Sequence, residues 1–204
     1  MPLIDSTYFV CEINLPNTAA NATALSQAIA QYEKEILIDL LGYKLYALLI
    51  ADCTGEGGIP VTQKYIDLVN GATFEHTFAG ITTTLKWEGL KNTAKLSLIA
   101  FYTFYKYVER DVTHLSGTGT ILTPSGKGSR ASSVNKLCNA WERMRELYGR
   151  IPPEWERYYP NSISGASTRV FNDAPSAYNF LYVNKLSYPE WVFKPKWNIN
   201  QFGI

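Results

Sequence analysis

"EGLKNTAKLSLIAFYTFYKYVERDV", residues 88–112, is the stretch on which the fold class turns. Leu90, Ala94, Ser97, Phe101, Tyr105, Val108 and Val112 recur at steps of four and three, the helical period. Leu98, Ile99, Tyr102 and Phe104 widen the apolar arc well beyond one stripe. A helix with so broad an arc is expected to be nearly surrounded by protein. Other amphipathic helices must therefore cover it, and the sequence supplies them on both sides.

Upstream, "NTAANATALSQAIAQYEKEILIDLL" (17–41) places Leu25, Ile29, Tyr32, Ile36 and Leu40 at helical spacing. Asn21 or Thr23 is the expected cap at its start, and Gly42 the point where it ends or kinks. "YKLYALLIADC" (43–53) continues as a shorter helix with Leu45, Leu48 and Leu49 on one side. "TGEGGIP" reads as a loop, and Pro60 is placed to open the next helix, "VTQKYIDLVNG", which stops near Gly71. "ATFEHTFAGITTTLKW" (72–87) changes character: threonines and phenylalanines around Gly80 predict a small hairpin. Downstream, "SSVNKLCNAWERMRELYGRI" sets Val134, Leu137, Trp141, Met144 and Tyr148 on one seam. The fold expected is mainly α: a bundle of four to five helices, a small β-hairpin excursion and a long irregular C-terminal arm. Leu25, Ile29, Tyr32, Ile36, Leu40, Leu90, Phe101, Tyr105, Val108, Leu137, Trp141 and Met144 are the expected core.

The bulk numbers agree with a globular body. The chain has 204 residues, 46% of them hydrophobic, with a net charge of +1. No window of the sequence approaches a membrane span, and "MPLIDSTYFVCEINLP" lacks the basic and apolar regions of a signal peptide. Cys11, Cys53 and Cys138 are scattered and odd in number, which fits a reducing cytoplasm and provides no metal motif.

The stretch that looks most like chemistry is "HLSGTGTILTPSGKGSRASS", 114–133. A phosphate-cradling loop needs Gly five positions before a Gly-Lys pair and a hydroxyl residue after it. Counting back from Gly126-Lys127 reaches Ile121, and Gly128 follows the lysine. A dinucleotide fingerprint fails too, since Gly117-Thr-Gly119 has no glycine at position 122. What remains is charge: between Asp111 and Glu142 there is no acid, while Lys127, Arg130 and Lys136 are present. Those three are candidate contacts to a phosphate backbone without base readout, against the alternative of a solvated linker.

Other constellations are thin. His76 and His114 have no ligand partner at metal spacing, and no Gly-x-Ser-x-Gly elbow occurs. No catalytic residue, metal ligand or cofactor is expected. Cys138 reads as a small core residue, and the "FYTFYKY" tract as packing rather than base stacking.

From Ile151 the helical period stops. Residues 151–204 hold six of the ten prolines and twelve aromatic residues: Trp155, Tyr158, Tyr159, Phe171, Tyr178, Phe180, Tyr182, Tyr188, Trp191, Phe193, Trp197 and Phe202. Rings in such number need apolar surface to rest on. The expectation is a body at 1–150 and an arm at 151–204 that wraps a neighbouring subunit or partner; the alternative is an arm folded back over its own helices.

The arrangement as a whole carries a resemblance. A first helix ending "LIDLLGYKLYALL", a short follow-on helix, a "KWEGL" phrase before the aromatic helix, a Gly-rich loop and a last helix with "NAWERM" resemble the head–tail connector (adaptor) proteins of long-tailed bacteriophages and prophages, of the Bacteroidetes-phage type. The resemblance spans about residues 20–150. It implies a structural virion protein at the neck, made in the host cytoplasm. Such a protein forms a homo-oligomeric ring, commonly of twelve copies. The ring lies beneath the portal protein, extends the DNA channel and meets the next neck or tail protein. Non-specific contact with double-stranded DNA and no membrane contact go with that role. Two other classes stay open: a nucleic-acid-binding helical module acting through 114–136, and a small enzyme or ligand-binding domain with a pocket lined by Tyr102, Tyr105 and Trp141.

Overall fold

The computed structural model describes residues 2–15, 19–55, 58–78, 81–116, 119–122, 134–149 and 175–196. Among them are six α-helices: α1 (Ala19–Leu41), α2 (Tyr43–Asp52), α3 (Gln63–Asn70), α4 (Leu98–Val112), α5 (Val134–Tyr148) and α6 (Ala177–Val183). Two antiparallel hairpins join them, β1 (Ala72–Phe78) with β2 (Ile81–Trp87), and β3 (Thr113–Ser116) with β4 (Gly119–Leu122). The fold is mainly α with a small β-hairpin, as the helical periods require.

The aromatic helix α4 is central. It packs against both α1 and α5, and every residue from Leu98 to Tyr105 is buried. Leu25, Ile29, Tyr32, Ile36 and Leu40 of α1 are buried, as are Phe101 and Tyr105 of α4, Leu137, Trp141 and Met144 of α5, and Leu90; Val108 is partly buried. The N-terminal residues are part of the body. Short 3-10 turns at Ser6–Tyr8 and Cys11–Ile13 bury Leu3, Ile4, Tyr8, Phe9 and Ile13. Both oxygens of the buried Glu33 carboxylate accept the Leu3 N–H, at 2.8 and 2.9 Å, and one also accepts that of Ile4 at 3.3 Å.

Several boundaries differ from the sequence expectation, each for a local reason. The aromatic helix begins at Leu98, not near residue 88. Gly89 adopts φ +88, where a Cβ would lie 2.5 Å from the Val69 carbonyl oxygen, so the chain turns sharply past the end of α3. The Asn92 side chain then bonds both the N–H and the carbonyl of Leu96, diverting that backbone from helix. Ser97 starts the helix: its Oγ donates to Leu90 O at 2.6 Å and accepts the Ile99 N–H at 3.2 Å. Leu90 is thus buried by a turn rather than by a helix face. Asn21 and Thr23 lie inside α1, not at its cap. The helix after Pro60 begins at Gln63, because Asp52 accepts the N–H groups of Val61 and Thr62, both at 2.9 Å, and holds them ahead of the first turn. Leu48 is exposed although Leu45 and Leu49 are buried. Thr113–Ser116 and Gly119–Leu122 pair as strands β3 and β4, in a stretch for which the sequence offered a basic loop or a solvated linker but no strand.

The largest correction concerns the C-terminal arm. Residues 175–196 belong to the chain's own body: Ala177, Phe180, Leu181 and Tyr188 join the same core cluster as α1, α4 and α5. The Phe180 ring packs edge-on to Phe74 at 5.6 Å between centroids and is stacked on Trp87 at 6.3 Å. A division at residue 150 therefore does not separate body from arm for this segment. Trp155, Tyr158, Tyr159, Phe171, Trp197 and Phe202 lie outside the described residues.

The segment also finishes α1. The last carbonyls of a helix have no partner within it. Here Ile38 O is taken by the Gly42 N–H at 2.9 Å, Asp39 O by the Lys194 N–H at 2.9 Å, and Leu41 O by the Val192 N–H at 3.2 Å. The Trp191 indole N–H donates to Leu40 O at 2.8 Å. Gly42 permits this approach: with φ +79 it passes the Val192 backbone where a Cβ would lie 3.0 Å from Val192 Cβ.

Candidate interaction surface

The described residues place their polar and apolar groups in three settings. The first is a structural ion cluster where residues 194–196 meet α1. Lys194 Nζ pairs with Asp39 at 2.9 Å, and Lys196 Nζ pairs with the other carboxylate oxygen. Partial burial pushes the Asp39 carboxyl up, but the two lysines outweigh it and hold it below the usual carboxylate range. Cations at this point also face the negative end of α1. The Tyr148 hydroxyl donates to Lys194 O at 2.6 Å, and burial raises its pKa. Tyr102 donates to Glu35, and burial with that carboxylate raises its pKa as well. These shifted groups hold elements together, and none of them lines either of the two clefts that make up the second setting.

The second setting is a pair of adjoining clefts between the N-terminal segment, α3 and the base of β1–β2. One measures about 360 Å³ and is lined largely by Leu3, Ile4, Ile29, Ile59 and Val69, with Asp5 and Lys91 at polar positions. The other is an open depression of about 630 Å³ bordered by Thr73, Lys86, Glu88, Lys91 and Asn92. Neither includes Tyr102, Tyr105 or Trp141. Those three rings pack on one another instead, with Tyr105 and Trp141 at 4.8 Å and Tyr102 and Trp141 at 6.5 Å. Where the ligand-binding alternative would place a pocket, these three residues are buried core.

The third is uncovered apolar surface. Helix α2 buries Leu45 and Leu49 against the body and turns Tyr43, Ala47, Leu48, Ile50 and Ala51 outward. Tyr43 is 72% exposed and Val192, which lies against Gly42, is 67% exposed. A ten-residue helix with one lysine and one aspartate, apolar on both sides, is not made for water alone. Leu186, 92% exposed, stands on a turn tied down by Tyr188, whose hydroxyl donates to Lys64 O.

Of the six expected arm residues among those described, Phe180 and Tyr188 are buried, Tyr178, Trp191 and Phe193 are half-buried against the body, and Tyr182 is exposed. Tyr178, Trp191 and Phe193 form their own ring cluster, with Tyr178 and Phe193 at 4.8 Å. Of the basic trio, Lys136 is exposed on α5, while Lys127 and Arg130 lie outside the described residues. Sequence reasoning missed Tyr43, Val192 and Leu186 as exposed residues. For Tyr43 a signal existed: in α2 too many apolar residues share one short helix for all of them to face inward. His76, Cys53 and the acidic residues form no group of three that would hold a metal ion among the described residues, and no described helix is long and apolar enough to cross a membrane. No family model matches the chain, and neither a curated protein nor a solved structure matches it.

Proposed function

We propose that this chain is a structural virion protein, a head–tail connector that assembles as a ring below the portal, extends the DNA channel and joins capsid to tail. The observation that carries it is apolar surface left exposed on a body that, among the described residues, has a core of its own: α2 with Tyr43, Leu48 and Ile50, continued by Val192. Surface of that kind on a folded domain is a mark of partners. The resemblance of "LIDLLGYKLYALL", "KWEGL" and "NAWERM" to phage adaptors supplies the kind of partner: further copies, the portal and the next neck or tail protein. Those phrases fall on the α1–Gly42–α2 bend, on the end of β2 and the turn after it, and on the turns of α5 around Trp141. They therefore belong to the body that a ring subunit needs. The role is one of assembly rather than catalysis.

In this reading the rings of residues 175–196 stabilise the subunit, and the partner-facing role passes to α2 and its neighbours. The test is native mass spectrometry and electron microscopy of the full chain, alone and co-expressed with the proteins encoded beside it. Rings, or a stable complex with a portal, are the expected outcome. A monomer under every condition would end the connector reading.

A further inference from the structure

Hairpin β1–β2, the longer of the two hairpins described, has two strands of seven residues each that belong to no larger sheet among the described residues. One face is spoken for. Phe74 and Trp87 are buried, Leu85 is partly buried, and Phe180 packs on the first two. The Trp87 indole donates to Leu68 O at 2.9 Å, which fixes the base of the hairpin to α3. The opposite face carries Thr73, Glu75, Thr77, Thr82, Thr84 and Lys86, all exposed.

Those six residues also own the outward backbone. In an antiparallel pair, hydrogen-bonded and non-hydrogen-bonded positions alternate, and side chains approach closest at the latter. Thr77 Oγ1 and Thr82 Oγ1 lie 2.9 Å apart, which marks Thr77↔Thr82 as non-hydrogen-bonded. Two positions on, Glu75↔Thr84 and then Thr73↔Lys86 fall in the same phase. The N–H and C=O groups of Thr73, Glu75 and Thr77 therefore point off one edge, and those of Thr82, Thr84 and Lys86 off the other. Among the described residues none of these groups bonds to backbone outside the hairpin. Folded proteins normally blunt such edges with proline, bulges or several charges. Here neither strand contains a proline, the register runs unbroken from Ala72↔Trp87 to Phe78↔Ile81, and each edge bears a single charged residue. The charges are opposite: Glu75 on β1, Lys86 on β2. Lys86 meets Glu88 at 3.1 Å, but both side chains are half or more exposed, so that pair is weak and readily exchanged.

We propose that this hairpin is the joint between copies of the chain, the β1 edge of one subunit adding to the β2 edge of the next. The inference rests on the ring reading and names its contact. Two edges of different sequence make a heterologous interface, the kind that generates rings. Copies related by rotation, with their hairpins pointing the same way, set β2 of one antiparallel to β1 of the next. A stagger of two residues per hairpin, roughly one per strand as in closed barrels, keeps each side chain on its own face. It also brings Glu75 opposite Lys86 of the neighbour. Closure then leaves no free edge, and backbone hydrogen bonds supply affinity as they do wherever a strand is added to a sheet.

The test blocks one edge at a time in the full chain. Thr84→Pro removes an outward N–H of β2, and Glu75→Pro removes one of β1; neither touches the bonds inside the hairpin. Circular dichroism and thermal melting check that both variants fold, and native mass spectrometry reads their assembly. The wild type is expected to form closed oligomers, each variant alone to be monomeric, and an equimolar mixture to stop at a one-to-one dimer through the two unblocked edges. Should proline distort a strand, charge reversal gives the same answer. Glu75→Lys or Lys86→Glu lowers the association constant about tenfold or more, because like charges now face each other, and the double reversal restores it. Folded variants that assemble like the wild type would overturn the joint while leaving the ring reading intact. A wild-type chain that stays monomeric alone with both edges open would overturn the joint, and one that also forms neither rings nor a portal complex on co-expression would overturn the ring reading as well.

Discussion

Replacing Phe180 with alanine probes whether residues 175–196 are used as the structure describes. The ring is 3% exposed and touches three others: Phe74 edge-on at 5.6 Å, Trp87 stacked at 6.3 Å and Tyr188 at 6.1 Å. Removing a buried phenylalanine loses its transfer free energy and leaves a cavity, together about 3–5 kcal/mol. Because the ring is set between Phe74, Trp87 and Tyr188, all three buried, its neighbours have little freedom to collapse into the gap. In urea, with a slope of about 2 kcal/mol per M, the midpoint of unfolding followed at 222 nm falls by roughly 2 M. Phe180→Leu, which keeps most of the volume, costs about 1 kcal/mol. A double-mutant cycle with Phe74→Ala gives a coupling of about 1 kcal/mol for the edge-on pair. If Phe180→Ala costs under about 0.5 kcal/mol, a surface substitution's worth, α6 does not rest on the hairpin in solution. The C-terminal segment would then be free to serve a neighbour, as the sequence first suggested.

Three further outcomes are expected. Glu33 is pushed up from 4.5 to about 7, first by burial, with the N–H bonds from Leu3 and Ile4 opposing. A raised folded-state value means that its stabilising contribution is full below about pH 4.5 and is lost as pH rises through about 7, a span of about 3 kcal/mol. The urea midpoint of the wild type should therefore fall between pH 5 and pH 8 and that of Glu33→Gln should not; equal slopes would reject the assignment. Trp191→Phe keeps the ring but leaves Leu40 O without its indole donor, at a cost of about 1 kcal/mol by chemical denaturation, against no loss if water replaces the bond fully. Tyr43→Ser combined with Val192→Ser should leave thermal stability within about 0.5 kcal/mol, since both are exposed, yet weaken binding to a portal or to neck proteins in pull-down; undiminished binding would remove α2 from the interface.

Helix existence was legible along the chain because apolar spacing reports which side of a helix meets the core. Leu25 to Leu40, Phe101 to Tyr105 and Leu137 to Met144 needed nothing more. Helix starts were less legible. The beginning of α4 depends on Asn92 and Ser97 side chains competing for backbone groups, and a period of apolar residues running through Leu90 and Ala94 conceals that competition. Among exposed residues, Tyr43 has the clearest signal, in the excess of apolar residues on α2. Leu186 and Val192 have none, because exposure there depends on which neighbours happen to be absent.

The sequence by itself determined that this is a mainly helical protein built round one aromatic helix, with a threonine-rich hairpin and a proline- and ring-rich C-terminal quarter. Local spacing suffices for that, since a helix or hairpin declares its face within a dozen residues. Only the tertiary structure decided where the last described residues go. Trp191, Val192 and Lys194 cap a helix that ended 150 positions earlier, at carbonyls of Leu40, Leu41 and Asp39. Backbone carbonyls are the same in every residue, so no side-chain pattern in the sequence announces which distant segment will come to satisfy them.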